Sequence, residues 1–403
     1  MPHEADVPEI TAQELKEKIR KRSKLVLFDV RPQEQYAENK IEGHDEIRQI
    51  NVPYRELVAK GGKSDPIESI QNAIERELKD EIPEDHEVVA VCGKGISSQD
   101  LAKALHRVGY NARTLRDGMD AWSHLYHVEA VVESEAYSIY QMSRPARGCL
   151  SYVLISNGKA VVVDPLRHIE KYLEFAESQN ARIELVIDTH GHADHISGGR
   201  ALADKVGVKY YLHPYDGIHP IDVLPAEIPY EFMKDNQIFA INDLHIEALH
   251  IPGHTLGNVA LLVNHNYLLT GDSIFVDSIA RPDLGGHSET WAPIHYKSLK
   301  RLLELPDSTL VLPGHFSSHN EANERHLYAA TIADLKARNE GVKKVLEGER
   351  ALVDYILSHL PDFPQQYIDI KRVNAGLMTP DEEKASELEL GRNICALSQA
   401  YEN

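Results

Sequence analysis

The run Thr189-His190-Gly191-His192-Ala193-Asp194-His195 holds three imidazoles and a carboxylate within six consecutive positions. Neutral imidazole and carboxylate together suit Zn, Fe or Mn. A single histidine is usually an ordinary surface or core residue. Four ligand-type side chains in His-x-His-x-Asp-His order point instead to a metal site. More such residues arrive on turns further along. Ile251-Pro252-Gly253-His254-Thr255-Leu256-Gly257 sets a histidine between glycines, Leu268-Leu269-Thr270-Gly271-Asp272 ends in a carboxylate, and Leu310-Val311-Leu312-Pro313-Gly314-His315 repeats the strand-then-ligand pattern. A second chemistry is carried by Cys92-Gly93-Lys94-Gly95-Ile96-Ser97-Ser98. Backbone N–H groups of a glycine-rich loop and of a helix N-terminus favour a thiolate, and Lys94 adds positive charge. Such a thiolate is a nucleophile near neutral pH, although the loop alone fits a buried structural cysteine equally well. A phosphatase loop would place Arg six positions after the cysteine, for bidentate grip on a phosphate. Ser98 stands there, which argues against phosphoryl chemistry.

These residues need elements to hold them. Ile183-Glu184-Leu185-Val186-Ile187 reads as a short apolar strand, and Ser197-Gly198-Gly199 leads into a helix near 199–206. The histidine cluster therefore falls on a loop at a strand's C-terminal end, where α/β folds place their sites. Glu87-Val88-Val89-Ala90-Val91 predicts the strand that ends at Cys92, and Leu101, Leu105 and Val108 mark the helix after it. Upstream, Thr11-Ala12-Gln13-Glu14 is a capping box ahead of Leu15 and Ile19. Residues 25–30 read as a buried strand, and 64–80 as a helix with Ile67, Ile70, Ile74 and Leu78 on one face. Asn157-Gly158 between the apolar runs 149–155 and 160–164 predicts a hairpin. A helix is expected near 168–179 and a strand over 209–213.

A chain of 403 residues suggests two or three domains, and 42% hydrophobic with 26% charged residues is an ordinary globular composition. The net charge of −20 argues against nucleic acid and anionic membrane surfaces as partners. No apolar run approaches the ~18 residues of a membrane span. Glu4, Asp6, Glu9 and Glu14 stand where a signal peptide would be apolar, so none is expected. Three cysteines, Cys92, Cys149 and Cys395, fit a reducing compartment, and a cytoplasmic protein is the expectation.

Residues ~8–127 resemble a single rhodanese domain. The resemblance rests on Phe28-Asp29-Val30-Arg31-Pro32, Asn51-Val52-Pro53 and Asp117-Gly118-Met119-Asp120-Ala121-Trp122. It implies that Cys92 is the persulfide-carrying cysteine, that Gly93, Lys94, Gly95, Ile96 and Ser97 form its anion loop, and that Asp29, Arg31 and Trp122 are scaffold. The run Gly43–Asn51 is longer than the family's usual segment, and the loop lacks the Arg common near its end.

Residues ~130–335, with their ordered set of ligands, resemble the metallo-β-lactamase superfamily. The two resemblances together imply an α/β chain: a rhodanese-like domain over 1–127, then an αββα sandwich over 128–403 with a helical extension from about 336. In that extension Leu352, Tyr355, Ile356 and Leu360 form a stripe for core or subunit contact, and a homo-oligomer is possible. Ligand counting leaves two chemistries open. His190, His192, Asp194, His195, His254, Asp272 and His315 would complete a two-zinc thioester hydrolase site resembling glyoxalase II. The same residues occur in the persulfide dioxygenase branch, where one Fe(II) is held by the positions matching His190, His254 and Asp272. Two histidines and a carboxylate leave coordination positions open on non-haem iron, and redox-inert zinc could not activate O2. In that branch His192, Asp194, His195 and His315 lie outside the iron's ligands. The segment Ala280-Arg281-Pro282-Asp283 resembles one found there, which implies that Arg281 and Asp283 orient either groups behind the ligands or the thiol carrier itself. The expected partners are then a small thiol persulfide, O2, and sulfite or thiosulfate.

Overall fold

In the computed structural model, which describes residues 7–282, 287–360, 363–389 and 394–397, the chain folds into two compact units. One comprises residues 1–127 with 144–147, the other residues 128–143 with 148–403.

The first unit is built on a parallel five-stranded sheet, ordered Glu9–Ile10, Ala112–Leu115, Glu87–Val91, Leu25–Asp29, Arg48–Asn51. Alternating side chains of the two central strands split between two cores, because successive Cβ atoms point to opposite faces. Val26, Phe28, Val88 and Ala90 face Leu57, Ile70, Leu101 and Leu105 of helices on one side. Leu25, Leu27, Val89 and Val91 face Leu15, Ile19, Met119 and Trp122 on the other. The capping box forms: Glu14 N–H donates to Thr11 Oγ1 at 3.1 Å, and Thr11 N–H to Glu14 Oε2 at 2.8 Å. The single helix expected over 64–80 is instead an α-helix, Pro66–Ala73, widening into a π-helical turn over Ile74–Leu78 and tightening over Lys79–Glu81. Ile70, Ile74 and Leu78 nevertheless all stay in the core. Arg31 forks onto Asp29 at 2.7 Å and donates to the Asn39 carbonyl at 2.6 Å, so this buried pair ties the strand end to the next loop as scaffold.

The second unit is the αββα sandwich. A seven-stranded sheet runs Glu231–Phe232, Lys209–Leu212, Arg182–Ile187, Lys159–Val163, Cys149–Ser156, Ser138–Arg144, His127–Glu133. A six-stranded sheet runs Ile238–Ile241, Leu244–His250, Val259–Val263, Tyr267–Gly271, Leu310–Pro313, Ala330–Thr331. The two bury Leu154, Val161, Val163, Ile246, Val259 and Leu261 between them. On the outer face of the second sheet, Leu249, Ala260 and Leu262 pack on Leu299 and Leu302 of the helix Ser288–Leu303 and on Leu352 and Ile356. The expected stripe of the extension is thus core. The hairpin turn forms with Asn157 at φ +46° and Gly158 at φ +72°, the left-handed pair such a turn demands. Among the described residues no helix is long and apolar enough to cross a membrane.

Candidate functional site

Each ligand-type residue of the second unit follows a strand. His190 to His195 follow Arg182–Ile187 of one sheet, while His254, Asp272 and His315 follow Leu244–His250, Tyr267–Gly271 and Leu310–Pro313 of the other. All seven side chains are buried at the edge where these loops meet. The approach of the loops demands glycine at two points. Gly271 has φ +48°, and a Cβ on Gly314 would lie 2.6 Å from Asp272 Oδ1.

The ligand-type side chains fall into three groups. His190, His254 and Asp272 bring one atom each within 4.8 Å of one another. His254 Nε2 stands 3.5 Å and His190 Nε2 3.9 Å from Asp272 Oδ2. These three buried atoms have no hydrogen-bond partner among the described residues. Buried polar atoms left so are costly, and a metal ion would satisfy all three together. Their far sides are fixed. His254 Nδ1 lies 2.7 Å from the Arg281 carbonyl, His190 Nδ1 3.0 Å from Thr189 Oγ1, and His315 Nδ1 2.6 Å from Asp272 Oδ1. Burial, reinforced by neighbouring imidazoles, holds the basicity of His190 well below the ordinary histidine range, and burial likewise lowers that of His254. Both therefore offer lone pairs. Burial pushes the Asp272 carboxyl upward, but His315 and His254 more than offset it, and it stays ionised.

The second group is Asp194, His195 and His315, with Cys149 among them. His315 Nε2 lies 2.9 Å from Asp194 Oδ2, and His195 Nδ1 lies 3.1 Å from the same oxygen. Burial opposes protonation of these two imidazoles, yet Asp194 holds His315 well above the ordinary range and His195 at about 9. The third group is His192, whose Nε2 lies 3.3 Å from Asp164 and 3.9 Å from Asp188, while its ring packs 4.2 Å from that of His190.

Residues 144–315 match the metallo-beta-lactamase superfamily, and residues 11–125 the rhodanese-like domain. The probable metallo-hydrolase YqgX of Bacillus subtilis is 30% identical over 181 residues, spanning 41% of this chain and 83% of that protein. The chain belongs to the metallo-beta-lactamase superfamily. A hydroxyacylglutathione hydrolase of Pelagibacter ubique is 27% identical over 253 residues, 62% of this chain and 96% of that one. The crystal structure of a metallo-beta-lactamase from Staphylococcus aureus superposes with a TM-score of 0.53 at 27% identity, covering 60% of this chain and 72% of that one. The metallo-beta-lactamase fold binds metal ions, and together with a rhodanese-like domain it marks the chain as an enzyme.

Several parts of this metallo-beta-lactamase centre escaped the sequence reading. Asp216 accepts from Gly191 N–H at 2.7 Å, Thr255 Oγ1 at 2.6 Å and Gly257 N–H at 2.9 Å, so one carboxylate ties the His190 loop to the His254 loop. The helix Gln366–Asn374 of the extension grips the same loop. Asn374 donates to the His192 and His195 carbonyls, both at 2.9 Å, and accepts from Ser197 N–H. Lys371 donates to the Gly191 carbonyl at 2.6 Å. Cys149 is fully buried, and although burial raises its pKa, His195 and His315 bring it down to about 7. Nothing in the spacing of these residues announced a role, since their partners lie far away in the chain. Arg281, expected to orient groups near a substrate, is buried behind the centre. Its backbone N–H donates to the Cys395 carbonyl at 2.8 Å, and its own carbonyl holds His254. Asp283 lies outside the described residues.

In the rhodanese-like domain Cys92 sits where the strand Glu87–Val91 gives way to the helix Ser97–Arg107. It is 4% exposed, and its Sγ lies 3.2 Å from Ser98 Oγ, which is backed by Thr114 Oγ1 at 2.8 Å. Burial raises the thiol pKa, but the Ser98 and Ser97 hydroxyls and the Ser98 and Lys94 backbone N–H groups lower it below the ordinary range. Lys94 thus acts through its backbone. Gly95 takes φ +72° as the loop turns, and Ile96 is 74% exposed at its tip.

Proposed function

We propose that the metallo-beta-lactamase domain is a persulfide dioxygenase using one Fe(II) per chain, and that the rhodanese-like domain moves sulfane sulfur through Cys92. The observation that carries this reading is the convergence of two imidazoles and one carboxylate, His190 Nε2, His254 Nε2 and Asp272 Oδ2, within 4.8 Å of one another, all buried and without hydrogen-bond partners among the described residues. Two histidines and one carboxylate form the ligand set of non-haem iron oxygenases. When bound, ferrous iron supplies the one-electron chemistry that O2 requires.

The chain's own residues would do the rest. The Arg281 carbonyl and Thr189 Oγ1 keep the His254 and His190 lone pairs directed inward. His315 occupies Asp272 Oδ1 and leaves Oδ2 for the metal. A cavity of about 330 Å³ opens onto His190, and its apolar walls, Leu212, Tyr215, Leu256 and Trp291, would exclude bulk water from a bound substrate. The overall change is RSSH + O2 + H2O → RSH + H2SO3. In the other domain the Cys92 thiolate would take the outer sulfur of RSSH with RSH leaving, and sulfite attack on that sulfur would return the thiolate and release thiosulfate. This chemistry would serve sulfide and persulfide detoxification.

Iron and zinc content, with O2 uptake on a glutathione persulfide, tests the reading. About one iron per chain with sulfite as product is expected. Two zinc ions with thioester hydrolysis and no O2 uptake would overturn it. That second reading is favoured by the hydroxyacylglutathione hydrolase likeness and by Cys149, Asp194, His195 and His315 converging within 4.8 Å.

A further inference from the structure

Lys371 is a buried cation with no carboxylate at ion-pair distance among the described residues, the charges of Asp216 and Asp194 reaching it from further off. It is 8% exposed and lines the cavity that opens onto His190, where it is the sole Lys or Arg among the described lining residues. Its hydrogen bond goes to the Gly191 carbonyl. Asp216, also in the cavity wall, spends its oxygens on three neutral donors from Gly191, Thr255 and Gly257 and does not touch the ammonium. The neighbouring Arg372 behaves in the opposite way and forks onto Asp222 at 2.7 and 2.9 Å and onto Asp369 at 2.8 Å. An ammonium has three donors, and holding it out of water with one carbonyl acceptor and no anion in contact is costly unless a ligand supplies one.

We propose that Lys371 is the specificity-determining anchor of the substrate cavity, pairing with the carboxylate of a small thiol carrier whose sulfur is turned toward the His190 side. The size and charge of the cavity decide the class of carrier. About 330 Å³ suits an amino-acid- or short-peptide-sized thiol. A nucleotide-bearing thiol would bring several phosphate charges, which call for guanidinium forks or clustered cations, and one ammonium does not meet that need. The apolar walls, Leu212, Tyr215, Leu256 and Trp291, would take the carrier's methylenes.

The inference rests on the proposed function only in taking the ligand to be a thiol derivative. Its test needs neither persulfide nor O2. Trp291 lines the cavity, and the other tryptophan, Trp122, belongs to the rhodanese-like unit. Quenching of Trp291 fluorescence in the metal-loaded full chain can therefore follow binding of N-acetyl-S-methylcysteine and of its uncharged amide. A charge-assisted contact of this kind gives the acid an advantage of about 10-fold or more over the amide. Lys371→Gln keeps a donor for the Gly191 carbonyl, and should bring the acid's affinity down to that of the amide while metal content holds. Equal affinity of the wild type for both probes, no binding of the acid, or an undiminished preference in Lys371→Gln would each overturn the proposal. The wild-type comparison stands even if the variant does not fold. A chain that prefers the acid yet binds two zinc ions would uphold Lys371 and sink the iron reading, so the two can fail separately.

Discussion

The two candidate sites are built in opposite ways. Around Cys92 nearly everything that acts on the sulfur comes from the next six residues: the Lys94 and Ser98 N–H groups and the Ser97 and Ser98 hydroxyls. Thr114 adds a single backing contact to Ser98. The metal centre draws instead on four loops from two sheets and on a helix about 180 residues further along, whose Asn374 and Lys371 hold the His190 loop by its carbonyls. A local site needs one strand–loop–helix junction to be right. A dispersed site needs the register of both sheets and the docking of the extension. The first should tolerate damage elsewhere in the chain, and the second should not.

The largest effects come from the proposed ligands themselves. Asp272→Ala removes the only anionic member of the triad and leaves His315 facing a void, so iron retention should fall by more than the ~100-fold typical of losing an outer partner, and O2 uptake with it. His254→Ala should also abolish O2 uptake. In both, sulfur transfer between thiosulfate and a thiol should persist, because the groups that act on Cys92 belong to the rhodanese-like unit. Cys92→Ser should show the converse. A serine hydroxyl is hardly ionised near neutral pH and cannot carry a sulfane sulfur, so transfer should drop to background while O2 uptake on preformed persulfide continues. Iron assay, O2 electrode and thiosulfate:thiol transfer rates read all three variants. If Cys92→Ser transfers sulfur as well as the wild type, the rhodanese-like domain is a docking module and the comparison collapses.

This contrast also explains what could be read from the sequence. The αββα sandwich behind a rhodanese-like domain was legible because buried parallel strands, the capping box at Thr11 and the Asn157-Gly158 turn are local signals. The ligand-type residues were legible because each follows a strand within one or a few residues. What orients them was not. Asp216, Asn374 and Lys371 look like ordinary turn and helix residues in the linear chain, and acquire meaning only when the extension docks. His192, second in the histidine run, is drawn to Asp164 and Asp188, two carboxylates ending neighbouring strands. The extra thiol, Cys149, starts a core strand and reads as a small apolar residue until the His315 loop folds beside it.

A smaller effect isolates the extension. Asn374→Ala deletes two donors and one acceptor to the loop between His192 and Ser197. Leaving such buried backbone groups unpaired costs about 1–3 kcal/mol, which should loosen the loop without unfolding the sandwich. Iron should dissociate faster by about 10-fold, with Cys92 transfer rates unmoved. Unchanged iron release would mean that the extension covers the centre without setting its geometry.

The smallest effect falls within the local site. The nucleophilic step at Cys92 scales with the thiolate fraction, so below the thiol pKa the rate drops about tenfold per pH unit. Burial works against the thiolate, and the Ser98 hydroxyl is the first of the groups that offset it, ahead of Ser97 and the two backbone N–H groups. Ser98→Ala removes that donor and leaves the helix N-terminus in place. The pKa should therefore rise, moving the acid limb of the pH–rate profile for sulfur transfer to higher pH, while the plateau on the alkaline side stays within about twofold of the wild type because the thiolate there is fully formed in both. Iodoacetamide alkylation of Cys92, followed against pH, would give the same shift without depending on turnover. Superimposable profiles would show that the backbone N–H groups alone poise the sulfur, and an unchanged limb with a lowered plateau would show that Ser98 positions the attacking sulfur without tuning its charge.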